Sequence, residues 1–261
     1  MTIINNFNVK SWGVYGIKQI IKLSSINSNK LVLQIQYNHI VQAMIYKHLN
    51  EELATFLHKI GFENGKRSFK MFTFSRLVGT YKIDKEAGKI IFDNPVSLTV
   101  SSPYCEFCKS FANSLLFKQK VVLGETEMEV TQITFENEKV NKDEIMCYTL
   151  SPIVVYSTLL RSDGRKYTCY FQPNEPEFDE LLTNNLKKKY TAFYNQEPPD
   201  GSVKVESLKQ PKLSVINYKN TIIKGYSGKF HIFGPQSLLQ MGVDTGLGGK
   251  NSQGFGCIKV V

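Results

Sequence analysis

The chain has 261 residues, of which 42% are hydrophobic and 12% aromatic, and a formal net charge of +9. This apolar content suffices for folded cores and excludes a chain that is disordered throughout. The length fits one large domain or two of ordinary size. The positive charge makes polyanions the expected partners and an acidic membrane surface the second choice. No apolar run approaches the roughly 20 residues of a membrane span.

Elements in the first part of the chain, taken in order, alternate between strand-like and helix-like patterns. Strands are expected over Ile17–Leu23 and Leu31–Gln36. From His39 the apolar residues repeat every four positions, which predicts a helix, and Asn50 would cap a second short helix. The further elements are strands over Met71–Ile83 and Lys89–Val100, a helix from Phe107 to Leu116 and a strand over Lys120–Phe135.

The second part of the chain repeats this order after a polar linker, Glu136–Asp143. We therefore predict an α+β fold of two tandem ferredoxin-like (βαββαβ) domains with antiparallel sheets, residues 1–142 and 143–261. The elements are strands over Ile145–Ser157 and Lys166–Phe171, a helix over Pro176–Tyr194, a hairpin of Val203–Tyr218 and Thr221–Phe233 across Lys219 and Asn220, a helix over Pro235–Met241 and a last strand over Cys257–Val261.

Five cysteines, an odd count without a regular framework, suit the reducing cytosol. Cys105 and Cys108 have metal-ligand spacing, but no second pair completes four ligands, so we expect a helix start with two semi-buried thiols. The first ten residues lack a basic segment followed by an apolar one, which argues against a signal peptide. We therefore expect a soluble cytoplasmic protein without a metal or cofactor.

A glycine-rich segment from Gly246 to Gly256 precedes the last strand. It contains two Gly-apolar-Gly units that are five residues apart, with Lys250 between them. Backbone N–H groups beside a lysine suit a phosphate oxygen, whereas the alternative is a long turn before a terminal strand. It is not a P-loop, because Asn251 follows Lys250. The residues predicted to bind are Gly246, Gly248, Lys250, Asn251, Gly254 and Gly256.

This segment resembles the glycine-rich signature of the CRISPR RNA-processing endoribonucleases, the Cas-six family. Three further stretches resemble that family in the same order: Tyr37 to Tyr46, Lys70 to Ser75 and Thr149 to Ile153. The resemblance implies cleavage of the repeat segments of a CRISPR precursor transcript to release guide RNAs. In that metal-independent reaction the ribose 2′-OH attacks the adjacent phosphate and leaves a 2′,3′-cyclic phosphate and a 5′-OH.

Family members with a Tyr/His/Lys set are matched here by Tyr46, His58 and Lys70. The resemblance implies that His58 is a general base or acid, that Lys70 places positive charge on the phosphate and that Tyr46 hydrogen-bonds or shuttles a proton. Tyr46 and His58 are twelve residues apart, which is about 120° on an unbroken helix. The assignment therefore requires a break near Asn50. His39 is the alternative catalyst, since members do not all use the same histidine.

Each of these residues also has a structural alternative. Tyr46 would be a core aromatic with its hydroxyl at the surface, His58 a helix-end histidine favoured by the dipole and Lys70 one of many exposed lysines. His39 would cap the first helix. His48 is expected to face solvent.

RNA binding is expected at the glycine-rich segment and at basic residues elsewhere. Residues 201–261 carry eight lysines against two acidic residues, which supports a polyanion partner. Lys187–Lys189 is expected to be a solvated helix end. The expected partner is CRISPR repeat RNA, bound by a monomer or homodimer, and a second hypothesis is a non-cleaving RNA-binding subunit of a CRISPR effector complex. The further residues predicted to bind RNA are Lys224 and Lys229 on strands and Arg76, Lys66 and Arg67 near the cut.

Overall fold

The computed structural model of the chain describes residues 16–160, 162–219 and 221–261. Two predictions fall outside these residues: the one about a signal peptide at the N-terminus, and the place of Asn220 in a hairpin turn. The elements of the first part are β1 (Ile17–Ser25), β2 (Lys30–Gln34), α1 (Asn38–Lys47), α2 (Glu51–Lys59), β3 (Phe62–Asn64), β4 (Arg67–Phe69), β5 (Thr73–Phe74), β6 (Tyr81–Asp84), β7 (Lys89–Asp93), β8 (Val96–Ser102), α3 (Cys105–Lys118), β9 (Lys120–Leu123) and β10 (Thr126–Glu136).

The N-terminal sheet has the order β5-β8-β1-β10-β9, and every neighbouring pair is antiparallel. Alternating residues of β8, namely Val96, Leu98 and Val100, are buried, as expected for a sheet with one face on a core. Strand β1 lies between β8 and β10, and in the chain α1 and α2 lie between β1 and β5 whereas α3 follows β8. This is the predicted split βαβ arrangement of a ferredoxin-like domain.

Three strands that the sequence pattern predicts as continuous in the first part of the chain are divided. The predicted strand Lys89–Val100 is two strands, since β7 pairs with β2 and β6 whereas β8 pairs with β1 and β5. The predicted strand Lys120–Phe135 is a hairpin of β9 and β10, in which Gly124 takes a φ of 63°. The predicted strand Met71–Ile83 retains only the short β5 and β6. The hairpin of β3 and β4 was not predicted, because its strands are only three residues long.

The second part of the chain forms another antiparallel sheet, with the order β14-β17-β11-β18. Its first strand, β11, lies between the third and the fourth, as β1 does in the first sheet, so the predicted tandem ferredoxin-like fold is confirmed. The elements are β11 (Glu144–Thr149), β12 (Val155–Leu160), β13 (Lys166–Phe171), α4 (Pro176–Tyr194), β14 (Lys204–Ser207), β15 (Lys212–Tyr218), β16 (Thr221–Ser227), β17 (Lys229–Phe233), α5 (Gln236–Thr245), a 3₁₀ turn (Asn251–Gln253) and β18 (Ile258–Val260).

The segment between β10 and β11, which the sequence predicts to be a linker, is anchored by side chains from both sheets. The main-chain N–H of Val140 donates to Gln240 Oε1 on α5 at 2.8 Å. Glu138 forms ion pairs with Lys18 of β1 and Lys259 of β18. Because Lys18 is almost fully buried, this pairing offsets the cost of placing its charge in the interior.

The two cysteines with metal-ligand spacing, Cys105 and Cys108, are free thiols at the predicted helix start. Cys105 begins α3, and Cys108 is buried in its first turn, where burial raises the pKa of the thiol to about 12. Among the described residues, no group of three or more His, Cys, Asp and Glu side chains is arranged to hold a metal ion. None of the helices that the structure describes is long and apolar enough to cross a bilayer.

Candidate functional site

A break between α1 and α2 brings Tyr46 and His58 together. Helix α1 ends at Lys47, and α2 begins after Asn50, whose side chain accepts a hydrogen bond from the N–H of Leu53 at 2.8 Å. This N-cap begins a separate helix, so the helical phase of α1 does not continue into α2. The rings of Tyr46 and His58 then meet edge to face, with their centroids 6.1 Å apart. The predicted break is therefore confirmed.

His58 lies in the last turn of α2 and is exposed. In the described part of the chain its ring nitrogens make no hydrogen bond, and its ring contact is with Tyr46. Both nitrogens therefore remain accessible for proton exchange with a bound molecule.

Tyr46 is half-buried, with its ring packed against Phe72 at a centroid distance of 5.8 Å. Burial raises the pKa of its hydroxyl to about 12, and the neighbouring Tyr218 adds to the shift. Tyr46 therefore stays protonated near neutral pH and acts as a hydrogen-bond donor. The structure gives it part of the expected core role as well, since it packs at the edge of the main hydrophobic core.

Lys70 is brought to the same place by the hairpin of β3 and β4, which reverses the chain after α2. Its Nζ donates to the main-chain oxygens of His58 at 3.4 Å and Ile60 at 3.3 Å and to Ser68 Oγ at 3.1 Å. The ammonium thus lies at the C-terminal end of α2, where a cation is favoured by the helix dipole. Burial lowers the pKa of Lys70, and Glu63 opposes that shift.

Two further histidines, His39 in α1 and His48 just after it, differ from their predicted structural roles. The N-cap of α1 is Tyr37 and makes no side-chain cap bond, so the capping role proposed for His39 is wrong. His39 precedes Tyr46 by seven residues, which places it on nearly the same helix face about 10 Å away. His48 was expected in solvent, but it is 4% exposed and bonds the carbonyl oxygens of Met44 at 3.0 Å and Lys120 at 3.2 Å. The end of α1 turns its ring inward against β9.

The glycine-rich segment is anchored by its two apolar residues, Leu247 and Phe255, both fully buried. Glycine is required where backbone approaches backbone at positive φ. A Cβ on Gly256, with φ of 76°, would overlap the carbonyl oxygen of Leu247. A Cβ on Gly248, with φ of 70°, would overlap that of Val154. Much of the glycine content therefore serves the packing of the segment.

Side chains of the N-terminal domain that were not predicted hold this segment in place. Asn38 Nδ2 donates to the carbonyl oxygens of Gln253 at 2.8 Å and Gly254 at 3.2 Å, and Gln42 Nε2 donates to Ser252 O at 2.7 Å. Asn38, Gln42 and Tyr46 follow one another at intervals of four residues, so one face of α1 carries both the glycine contacts and the candidate tyrosine. That spacing of polar residues in an apolar helix was the signal available in the sequence.

The predicted RNA-binding residues of the segment divide into two groups. Its central part, residues 249–253, is half-buried and includes Lys250 and Asn251. Lys250 Nζ lies 5.2 Å from the centre of the Tyr156 ring, and burial lowers the pKa of this lysine. The four predicted glycines that lie beneath this surface and shape it are Gly246, Gly248, Gly254 and Gly256, all buried.

A cleft of about 450 Å³ joins the glycine-rich segment to Lys70. The β4 end of the β3–β4 hairpin, α4, β12 and residues 249–253 line it, and Arg67, Lys70 and Lys250 give it positive charge. Lys189 also lines it and corrects the prediction for the end of α4, since this lysine is 2% exposed rather than solvated. Its Nζ donates to Gly246 O at 2.6 Å, and burial lowers its pKa to about 7.

The remaining basic residues predicted to bind RNA lie outside the lining of this cleft, apart from Arg67. Lys66 is exposed at the turn of the β3–β4 hairpin, and Lys224 and Lys229 are exposed on β16 and β17. The guanidinium of Arg76 is 5.9 Å from the centre of the Tyr37 ring. Of these predicted residues, Arg67 alone lines the described cleft.

Comparison with known proteins identifies the family. A family model described as the C-terminal part of the CRISPR-associated protein Cas6 matches residues 135–260, and one described as the N-terminal part matches residues 32–134. The chain belongs to the Cas6 family. A curated Cas6 relative, the CRISPR-associated endoribonuclease Cas6 1 of Methanocaldococcus jannaschii, is 32% identical over 240 residues, which cover 91% of each chain.

Two solved structures agree with this assignment to the Cas6 family. One, described as a CRISPR-associated protein Cas6, has a TM-score of 0.74 and 30% identity, and the match covers 94% of this chain and 99% of that one. The other, described as a RAMP protein binding different RNA substrates, has a TM-score of 0.77 and 25% identity with the same coverage. The resemblance drawn from the glycine-rich segment is therefore confirmed.

Proposed function

We propose that this chain is a metal-independent endoribonuclease that cuts the repeat segments of a CRISPR precursor transcript. The observation that carries the proposal is the convergence of Tyr46, His58 and Lys70, which come from α1, α2 and the end of the β3–β4 hairpin. Of the three, Lys70 lines a basic cleft whose other wall is the glycine-rich segment. The curated relative named as a CRISPR-associated endoribonuclease supports the same activity.

The proposed reaction needs little covalent chemistry from the protein. The nucleophile is the 2′-OH of the substrate, which already lies beside the phosphate that it attacks, so the protein contributes mainly by fixing the in-line geometry. A base must remove the 2′ proton, an acid must protonate the departing 5′-oxygen, and positive charge must stabilise the phosphorane. The products are a 2′,3′-cyclic phosphate and a 5′-OH.

The three side chains divide these tasks according to their surroundings. His58, with free ring nitrogens, exchanges the proton as base or acid. Tyr46, whose pKa is raised to about 12, donates a hydrogen bond to a phosphate oxygen. Lys70 places a cation beside His58 and orients the end of α2 through the carbonyls that it bonds. Arg67 and Lys250 neutralise flanking phosphates along the cleft.

The test of this reaction class uses repeat RNA from a CRISPR array of the same genome, incubated with the protein in EDTA. We expect cleavage at one position, a product with a 2′,3′-cyclic phosphate and no cleavage of RNA that carries a 2′-deoxy nucleotide at that position. Cutting of the 2′-deoxy substrate would eliminate the mechanism, and loss of cutting in EDTA that Mg²⁺ restores would eliminate metal independence.

A second candidate is an RNA-binding subunit of a CRISPR effector complex that does not cut. The hydrogen bonds of Lys70 favour it, because the ammonium donates to three protein oxygens and would have to leave at least one of them to reach a phosphate. A single-turnover experiment with the protein in excess separates the two candidates. Tight binding of repeat RNA with no product after prolonged incubation would establish the binding subunit.

A further inference from the structure

We propose that a small pocket beside the cleft holds one unpaired nucleobase of the bound RNA and that Asn185 hydrogen-bonds the edge of that base. The pocket lies between α4 and β12, with Asn185, Leu181 and Lys188 on one side and Val155 and Tyr156 on the other. This inference rests on the proposed function, because it concerns the RNA that the cleft would hold.

The size and position of the pocket suit a base at the side of a strand. Its volume is about 100 Å³, less than the ~150 Å³ cavity that accepts a benzene ring, so the pocket takes the edge of one base and is far too small for a duplex. It shares Arg67, Tyr156, Asn185 and Gly249 with the larger cleft. A strand that runs through the cleft past Lys70 and Lys250 can therefore turn one base into the pocket while its backbone stays in the cleft.

Asn185 supplies the polar group that recognises a base. It is 9% exposed, and its Oδ1 has no hydrogen-bond partner among the described residues. Buried polar atoms are nearly always paired, so an orphaned oxygen beside a cavity indicates a missing donor. A half-turn of the carboxamide presents either its oxygen or its NH₂ group to the pocket. A base edge carries donors for that oxygen, whereas a phosphate carries none.

The walls of the pocket complete the recognition. Val155, Leu181 and the ring of Tyr156 give an apolar and aromatic lining, which suits the face of a base. Arg67 and Lys188, both exposed, lie at its edge and provide positive charge for the phosphates on either side of the inserted nucleotide. The pocket thus combines the three contacts that single-stranded RNA recognition uses: stacking, edge hydrogen bonds and backbone charge.

The test couples changes in the protein to changes in the RNA. The RNA is a set of repeat RNAs made uncuttable by a 2′-deoxy nucleotide, each with one abasic nucleotide at a different position. Their affinity is measured for the wild type, for Asn185→Leu and for a control, Asn137→Leu, which is exposed and lines neither the cleft nor the pocket. We expect one position at which the missing base weakens binding roughly tenfold in the wild type and in Asn137→Leu. At that position the missing base weakens the binding of Asn185→Leu clearly less than that of the wild type.

The possible results separate the inference from the function on which it rests. If every abasic position weakens Asn185→Leu as much as the wild type, the pocket does not hold a base and the inference is overturned, although binding and cutting stand. If the wild type binds no repeat RNA, both are overturned. Asn185→Ala, which removes the carboxamide without adding apolar bulk, replaces Asn185→Leu if the latter unfolds and is expected to lose the same coupling.

Discussion

The buried ammonium of Lys189 makes the stability of this protein depend on pH in a way that one substitution removes. Lys189 lies inside α4, where its Nζ donates to the carbonyl oxygen of Gly246 at the start of the glycine-rich segment. Burial lowers its pKa from 10.5 to about 7. Between these two values the unfolded chain holds a proton on Lys189 that the folded chain has released. Stability therefore rises with pH across this window and is lost as the pH falls toward 7.

The size of the effect follows from the two pKa values. The difference between the pKa of Lys189 in the unfolded and in the folded chain lowers the free energy of unfolding by about 4 kcal/mol at pH 7 and by about 2 kcal/mol at pH 9, because each pKa unit is about 1.4 kcal/mol. Substitution by methionine removes the ionisable group while keeping most of the length of the side chain. It also leaves the Gly246 oxygen unpaired, but that loss does not depend on pH. The pH dependence therefore isolates the buried charge.

Urea unfolding at pH 7 and pH 9 measures this difference for the wild type, Lys189→Met and the neighbouring control Lys188→Met. We expect the free energy of unfolding of the wild type to rise between these pH values by about 2 kcal/mol relative to that of Lys189→Met. Lys188 is exposed, so Lys188→Met should follow the wild type. Equal pH dependence in all three proteins would refute the reasoning that Lys189 is buried and titrates near neutrality.

Three further substitutions test other features of the fold. Gly256→Ala should lower the free energy of unfolding by more than about 2 kcal/mol, because its Cβ overlaps Leu247 O at positive φ. The control Gly164→Ala, where φ is also positive but the space is open, should lose only about 1 kcal/mol. Thermal denaturation measures both. Burial raises the pKa of Asp244 from 3.8 to about 7, so stability is lost as the pH rises through 7. Relative to Asp244→Asn, the free energy of unfolding of the wild type, measured with urea, should fall by roughly 3 kcal/mol between pH 4 and 7. The same pH dependence in both proteins would contradict the raised pKa of Asp244. Asn50→Ala should lose about 1 kcal/mol in thermal melts and slow RNA cleavage, whereas Asn50→Asp should retain the cap; an unchanged melt for Asn50→Ala would contradict the capping role.

The local features of the site could be predicted from the sequence because they depend on short-range chemistry. The cap at Asn50 follows from a side chain that bonds a backbone group three residues away. The same break explains why Tyr46 and His58 meet despite their spacing. The succession of strands and helices along the chain follows from apolar periodicity, because the spacing of apolar residues indicates the buried face of each strand or helix.

The parts that were missed or wrong depend on contacts between distant segments. Asn38 bonds residues more than 200 positions away, and no local pattern specifies that partner. His48 was expected in solvent because it faces away from the apolar stripe of α1, and Lys189 because it belongs to a run of lysines at a helix end. Tertiary packing instead gives both of them backbone acceptors. Asn185 had no signal in the sequence, since its interest lies in an unpaired oxygen beside a cavity.

The central claim is that His58, held beside Tyr46 and Lys70, performs the proton transfer that cuts repeat RNA. Single-turnover cleavage in EDTA with the protein in excess tests it most directly, comparing the wild type with His58→Ala, His39→Ala and the exposed α2 control Thr55→Ala. We predict that His58→Ala slows cutting by roughly a hundredfold or more, with repeat RNA still bound, as the loss of a general acid or base does. Thr55→Ala and His39→Ala should cut at close to the wild-type rate. Cutting by His58→Ala at the wild-type rate, or loss of cutting in His39→Ala instead, would contradict the account.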